Sequence, residues 1–402
     1  MTDFPLPDSP RLRAALDHLA TNHDHFVDEI VALTQIPAPP FQEAERAAAM
    51  AARFRALGLT PEIDAEGNVT ALRRGTGAPD GPVIVAAAHL DTVFPAGTDV
   101  TVRREGTRLF APGIGDDTRG LAALLAFLGA LQAGGVDTRQ DILFVADVGE
   151  EGLGDLRGIR HLFTKGPWAG RIAAFFTFDG IETADLTIGA VGSLRSRVVL
   201  RGPGGHSLSN FGRVNPAYAL GRVLDGISRL SAPPSPRSTW CASTLSGGTG
   251  INAIPAEVSL GVDLRSESAE ILADLEAQLR TLVDEAVAAE NARGDTAAGA
   301  VTAEILPLGH RPAGATPETA EIVLASLAAI RSEGFTPRMD TSSTDANIPM
   351  SLGIPAVKFS HGGSGDRAHT LEEWIDVEPT LSLRGLRAGL KALVAVAGLA
   401  EG

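Results

Sequence analysis

Short apolar runs alternate along the chain with stretches of helical spacing. Val83 to Ala88 is bounded by Asp80-Gly81-Pro82 on one side and a polar cluster on the other, and predicts a buried strand. Asp141 to Asp147, Ala173 to Phe178 and Ile354 to Phe359 repeat that pattern. Apolar positions at helical spacing predict helices over 11–36, over 43–57 and from about Thr118 to Ala133. Leu386 to Ala400 is apolar but carries Arg387 and Lys391, and predicts an amphipathic terminal helix. Buried strands alternating with helices predict an α/β fold with a doubly wound, mostly parallel sheet.

The pattern changes at about Gly192. An amphipathic strand (Leu194 to Leu200) leads into the Gly-rich turn 201–205, a helix from about Asn215 to Leu230 and a Pro/Ser-rich loop at 231–238. A strand at Glu257 to Arg265 and a helix from about Ser268 to Glu290 follow. This order predicts a small α+β domain over 192–303, inserted into a larger domain made of 1–191 and 304–402. A chain of 402 residues has room for both.

Composition narrows the partners. The charge balance is 49 acidic against 34 basic side chains, a formal −15, which would repel nucleic acid. The single cysteine, Cys241, excludes an intramolecular disulfide and a thiolate metal cluster. The start lacks the basic and apolar stretches of a signal peptide, and no apolar run is long enough to span a membrane. A soluble cytoplasmic protein is the expectation.

The chemistry clusters at the ends of the predicted strands. His89-Leu-Asp91 follows the first, Asp116-Asp117 precedes the helix at 118, Glu150-Glu151 follows the strand at 141–147, Asp179 follows Phe178, and His369 lies beyond the last strand. Ligands of open parallel sheets bind at these carboxyl ends. Imidazole with carboxylate and no thiolate suits zinc, and also cobalt or manganese. Three carboxylates and two histidines exceed the needs of one tetrahedral ion but suit two, if one carboxylate bridges. Two such ions imply hydrolysis by an activated water. Of the adjacent pair Glu150 and Glu151, one acid would bind metal and the other move the proton.

These segments resemble the dinuclear zinc hydrolases that include peptidase T, the glutamate-releasing carboxypeptidases, the aminoacylases and succinyl-diaminopimelate desuccinylase. The matching motifs are HLDTV at 89–93, PGIGDD at 112–117, GEEGLG at 149–154, Asp179, GPGGHS at 202–207, NAIP at 252–255, DLRS at 263–266 and HT at 369–370. The resemblance implies that His89, Asp116 and Asp179 hold one ion and that Asp116, Glu151 and His369 hold the other. It implies that Asp91 accepts a hydrogen bond from the His89 ring and that Glu150 is the general base and acid. It further implies that 192–303 is a lid that makes a homodimer, that His206 reaches the partner subunit's site to stabilise the oxyanion, and that Asn252 and Arg265 bind substrate. For Arg265, a structural arginine paired to an acid is the alternative.

Two departures bear on these expectations. Thr118 stands where relatives commonly carry Lys, and Asp179 stands where many carboxypeptidase- and acylase-like members carry Glu. The second resembles the aminopeptidase and dipeptidase members and favours peptides with a free amino end. An N-acyl amino acid deacylase or a carboxypeptidase with the same chemistry is the alternative; an inactive binding protein is a further one. Asp117 is expected to cap the helix at 118. His361 is the local rival of His369, and Ser343 to Asn347 also resembles peptidase T-like relatives.

Overall fold

The apolar runs stand side by side. In the computed structural model, which describes residues 4–400, Val83–His89 lies between Asp141–Asp147 and Ile172–Phe178, parallel to both. Ala356–Phe359 pairs parallel with the other side of Ile172–Phe178. Val69–Arg73 and Asp185–Ala190 add antiparallel neighbours at the two flanks. Among the described residues these strands belong to a nine-stranded sheet.

Both faces of its centre are dry, which is why the strands read as unbroken apolar runs rather than as alternation. Ile84, Ala86 and Ala88 pack in one cluster with residues of the helices Pro10–Thr21, His23–Thr34, Arg119–Ala133 and Pro379–Ala397. Val83, Val85 and Ala87, pointing the other way, pack with Leu156, Ile159, Leu162 and Ile348.

Local differences from the sequence reading have local causes. The single helix expected over 11–36 is two helices that meet at Asn22, whose Nδ2 reaches back to the His18 carbonyl at 3.1 Å. The helix expected at 118 begins at Arg119, after an irregular turn in which Asp116 and Asp117 leave helical dihedrals. Asp117 does not cap that helix. Its carboxylate accepts from the His89 backbone N–H at 3.1 Å instead, tying the turn to the end of the central strand. Gly120 permits this approach, because a Cβ there would lie 2.2 Å from Asp117 Oδ1 and from the Phe178 carbonyl oxygen.

This first compact unit runs to Ala190 and resumes at Ala315; the second is Val191–Gly314. The second is a four-stranded antiparallel sheet in the order Ser238–Gly247, Glu257–Ser266, Gly192–Arg201, Thr302–Arg311. The helices Pro216–Ser228 and Ala269–Arg293, begun by the capping side chains of Asn215 and Ser268, pack with it in a core of its own. The two outer strands escaped the periodicity reading. Both are largely exposed edges, and the residues that pack on the core from them, Trp240, Ala242 and Ile305, are only partly buried, so neither shows a sustained apolar alternation.

Candidate metal centre

The carboxyl edge of the larger sheet gathers the strand-end side chains. His89 ends the central strand, in register with Asp147 on its neighbour, and is 1% exposed. One donor atom each of His89, Asp116 and Glu151 lie within 4.8 Å of one another. Asp116 sits between two imidazoles: its Oδ1 is 2.9 Å from His89 Nε2, and its Oδ2 is 2.9 Å from His369 Nε2. His369 Nε2 is also 2.9 Å from Glu151 Oε1. Asp179 follows the strand Ile172–Phe178, and its backbone N–H donates to the Phe359 carbonyl at 3.2 Å. His361, the rival of His369, is turned inward. Its Nε2 is 3.1 Å from the Gly115 carbonyl and 3.3 Å from Asp117 Oδ1, within a fully buried pocket.

Backbone donors, not only side chains, fix these loops. The Asp91 carboxylate accepts from the N–H groups of Glu150 at 3.0 Å and Glu151 at 2.8 Å. The His89 ring is steadied by Asp91 differently from expectation: Nδ1 is 2.9 Å from the Asp91 carbonyl oxygen and 3.8 Å from its carboxylate, which the Glu150 and Glu151 amides occupy. Arg46, buried, donates to the carbonyls of Ile36 and Leu90 and so holds the segment before Asp91. Thr118 donates to the Gly113 carbonyl at 2.8 Å and meets the Thr34 hydroxyl at 2.7 Å, so a short hydroxyl closes this turn. Glu373, which the sequence reading did not single out, accepts from the N–H groups of Gly113, Gly115 and Asp116.

The electrostatics describe a site that needs positive charge. Burial works against ionising Asp116, but hydrogen bonds from His369 and His89 outweigh it and hold its carboxyl well below the usual range. Burial disfavours charging His89, yet Asp116, Asp117 and Asp91 raise it well above its ordinary value. The bonds to Asp116 and Glu151 push His369 up to about 11. Glu151 and Asp179 are both raised, first by burial and then by the charge of Asp116. Burial likewise pushes Glu373 up to about 7. A deeper acidic pair lies close to Asp91 and Glu150: burial pushes Asp147 up to about 7, and burial and the charge of Asp147 raise its neighbour Asp345 well above the usual range. Asp345 belongs to the segment 343–347 noted in the sequence.

A divalent cation fits this arrangement. Imidazole nitrogen and carboxylate oxygen bind such ions at about 2.0–2.2 Å, which puts ligands of one ion roughly 3–3.5 Å apart. The spacings of Asp116, Glu151 and the two imidazoles are of that order. Asp116 offers a separate oxygen toward each histidine, which is what a carboxylate shared by two ions requires.

The remaining candidates lie in the second unit. His206 sits on the two-residue strand Gly205–His206, opposite Ala253, and the Ser207 N–H donates to the Asn252 carbonyl at 2.9 Å, so His206 and Asn252 are neighbours. His206 and Asn252 are both exposed. The His206 Nδ1 accepts from the Leu208 N–H at 3.2 Å. Arg265, on the strand Glu257–Ser266, pairs with Asp263 at 2.8 Å.

The sequence profile described as peptidase family M20/M25/M40 matches residues 85–397. Succinyl-diaminopimelate desuccinylase from Burkholderia multivorans is 28% identical over 258 residues, which cover 58% of this chain and 67% of that protein. Among solved structures, the fold is similar to the aminopeptidase PepT from Bacillus cereus, with a TM-score of 0.75 at 20% identity over 94% of this chain and 99% of that one. It is also similar to a tripeptidase from Staphylococcus aureus, with a TM-score of 0.74 at 20% identity over 94% and 98% of the two chains.

Proposed function

The chain belongs to peptidase family M20/M25/M40, and from that membership we propose that it is a two-metal exopeptidase acting on small peptides with a free amino end, in the manner of peptidase T. The observation that carries the two-ion reading is the Asp116 carboxylate, with one oxygen 2.9 Å from each of His89 and His369. In this reading His89, Asp116 and Asp179 hold one ion, and Asp116, Glu151 and His369 hold the other. Zinc is the ion proposed; cobalt or manganese would satisfy the same donors. Bound there, the ions supply Lewis acidity for the scissile carbonyl and a lowered pKa for the attacking water.

The protein's own groups do the rest. Glu150, whose backbone N–H is fixed by Asp91, takes the proton from the attacking water and delivers it to the leaving amine nitrogen. His206 is assigned the developing oxyanion, from the partner subunit of a homodimer built on the second unit, which would also act as a lid. Asn252 and Arg265 are assigned to the substrate. An arginine can grip a carboxylate through two bonds, and Arg265 would have to exchange its Asp263 partner to do so. We place the enzyme in the cytoplasm; among the described residues no helix is long and apolar enough to cross a membrane.

Asp179 and the likeness to an aminopeptidase and a tripeptidase favour free-amine peptides. The desuccinylase relatives favour a second reading, an N-acyl amino acid hydrolase with the same machinery. The deciding experiment assays zinc-loaded protein on tripeptides, dipeptides, N-acetyl and N-succinyl amino acids, with and without a chelator. Chelator-sensitive cleavage of tripeptides is the expected result. Cleavage of acylated substrates alone would move the protein to the second reading, and chelator-resistant cleavage would remove the metal from the mechanism.

A further inference from the structure

We infer that Glu373 is the positioning residue that sets the spacing between Asp116 and His369, by clamping the backbone of the Asp116 turn from the loop that carries His369. The inference rests on the reading of Asp116 and His369 as metal ligands.

Glu373 is fully buried, and both of its oxygens are used. Oε2 accepts from the Gly113 N–H at 2.7 Å, and Oε1 accepts from Gly115 at 2.7 Å and from Asp116 at 2.9 Å. Three such bonds from one short loop fix the carboxyl group in position and in rotation. The loop has little room to do otherwise. Gly113 has a φ of 74°, and a Cβ on Gly115 would lie 3.1 Å from Glu373 Oε1 and 2.9 Å from Ile181 Cδ1. The turn therefore presents bare backbone amides to a carboxylate delivered from elsewhere in the chain.

The delivery is rigid at the other end. Thr370 bonds to the Arg367 carbonyl with both its N–H and its hydroxyl, closing a turn around His369, and the Glu373 N–H donates back to the Thr370 carbonyl at 3.2 Å. The Ala111 N–H donates to the Glu373 carbonyl at 3.1 Å, and Trp374–Asp376 then pairs antiparallel with Arg108–Phe110. Little slack remains between His369 and the amide of Asp116. The preceding acid points elsewhere, since Glu372 is exposed and pairs with Arg367. A shift of Glu373 moves the Asp116 backbone relative to His369, and so moves the two donors that must share one ion.

The test compares the full chain with Glu373→Gln and Glu373→Asp. Each protein is stripped with a chelator and melted, then titrated with cobalt(II) while its visible absorption is followed, and with zinc against a chelating dye. In Glu373→Gln one acceptor oxygen is replaced by an NH2 group that faces a backbone donor. The expected result is an altered cobalt spectrum and a zinc affinity lower by about 10- to 100-fold, with the melting of the stripped chain near that of the unaltered protein. Glu373→Asp keeps the charge but is one methylene shorter, and a smaller loss is expected. Affinity within about twofold of the unaltered protein and an unchanged cobalt spectrum in a folded Glu373→Gln chain would overturn the inference. If Glu373→Gln does not fold, amide exchange of the unaltered, stripped chain decides: slow exchange at Gly113 and Gly115 is expected, and exchange at open-loop rates overturns it. A His369→Ala chain that still binds as much metal as the unaltered one would refute the ligand reading itself, whatever the Glu373 variants do.

Discussion

His89 and His369 address opposite oxygens of the same carboxylate from different kinds of support. His89 is the last residue of the central strand, almost wholly buried, with its Nδ1 against a backbone carbonyl. His369 lies on a loop beyond the sheet. Its side chain is 54% exposed, and both it and Arg367 take left-handed backbone angles near φ 65°. What the two ends share is a buried acid a few residues further on. Asp91 holds the amides of Glu150 and Glu151; Glu373 holds those of Gly113, Gly115 and Asp116. Each histidine loop is thereby stitched to a carboxylate loop. The strand end draws its rigidity from burial in the sheet, whereas the loop end depends on hydrogen bonds.

The comparison can be broken experimentally. The largest expected effect lies at the strand end. Glu150→Ala should lower turnover by about 100- to 10,000-fold while metal content stays at the unaltered level. Loss of an ion instead would exchange the roles of Glu150 and Glu151. Next is the stability of the chelated chain. His89→Ala removes the buried imidazole that meets Asp116 Oδ1 and should cost about 3–5 kcal/mol in urea unfolding. His369→Ala removes a solvent-screened partner and should cost about 0–1 kcal/mol. Equal costs would mean that the two ends are not differently supported.

Asp91→Asn tests whether the stitch matters at the rigid end as well. Zinc affinity should fall by about 10- to 100-fold, as for Glu373→Gln. A much smaller loss at Asp91 would show that burial alone holds the strand-end loop. The smallest expected effect is on pH dependence. The pKa of His369 is raised to about 11, so its ion pairs stabilise the chelated chain fully below the unfolded value of about 6.5. That contribution fades as pH climbs toward 11. Melting temperature of the chelated protein should therefore decline across this window. His369→Ala should flatten the decline, and so should bound metal, which replaces the proton.

Much of this molecule was legible along the chain. Buried parallel strands cannot hide, because both faces must be apolar; Val83–His89, Asp141–Asp147 and Ile172–Phe178 were readable for that reason. The outer strands of the second unit were not, because an exposed edge meets the core through a few partly buried residues and not through a sustained apolar face. The sequence also singled out the polar residues that follow each strand, since a histidine or acid directly after an apolar run stands at the sheet's carboxyl edge whatever the rest of the fold does. It could not say which polar group each of them meets. Asp117 reads as a helix cap and instead holds the His89 amide. His361 rivals His369 as a loop histidine after the same strand, and only the HT motif at 369–370 favours the second; in the fold one faces inward to Gly115 while the other meets Asp116 and Glu151. Glu372 and Glu373 are the same residue type side by side, yet one is exposed and the other fully buried against three amides. Periodicity reports burial shared by a whole element. The partners of a single loop residue are set by backbone that arrives from distant parts of the sequence, and only the folded chain decides them.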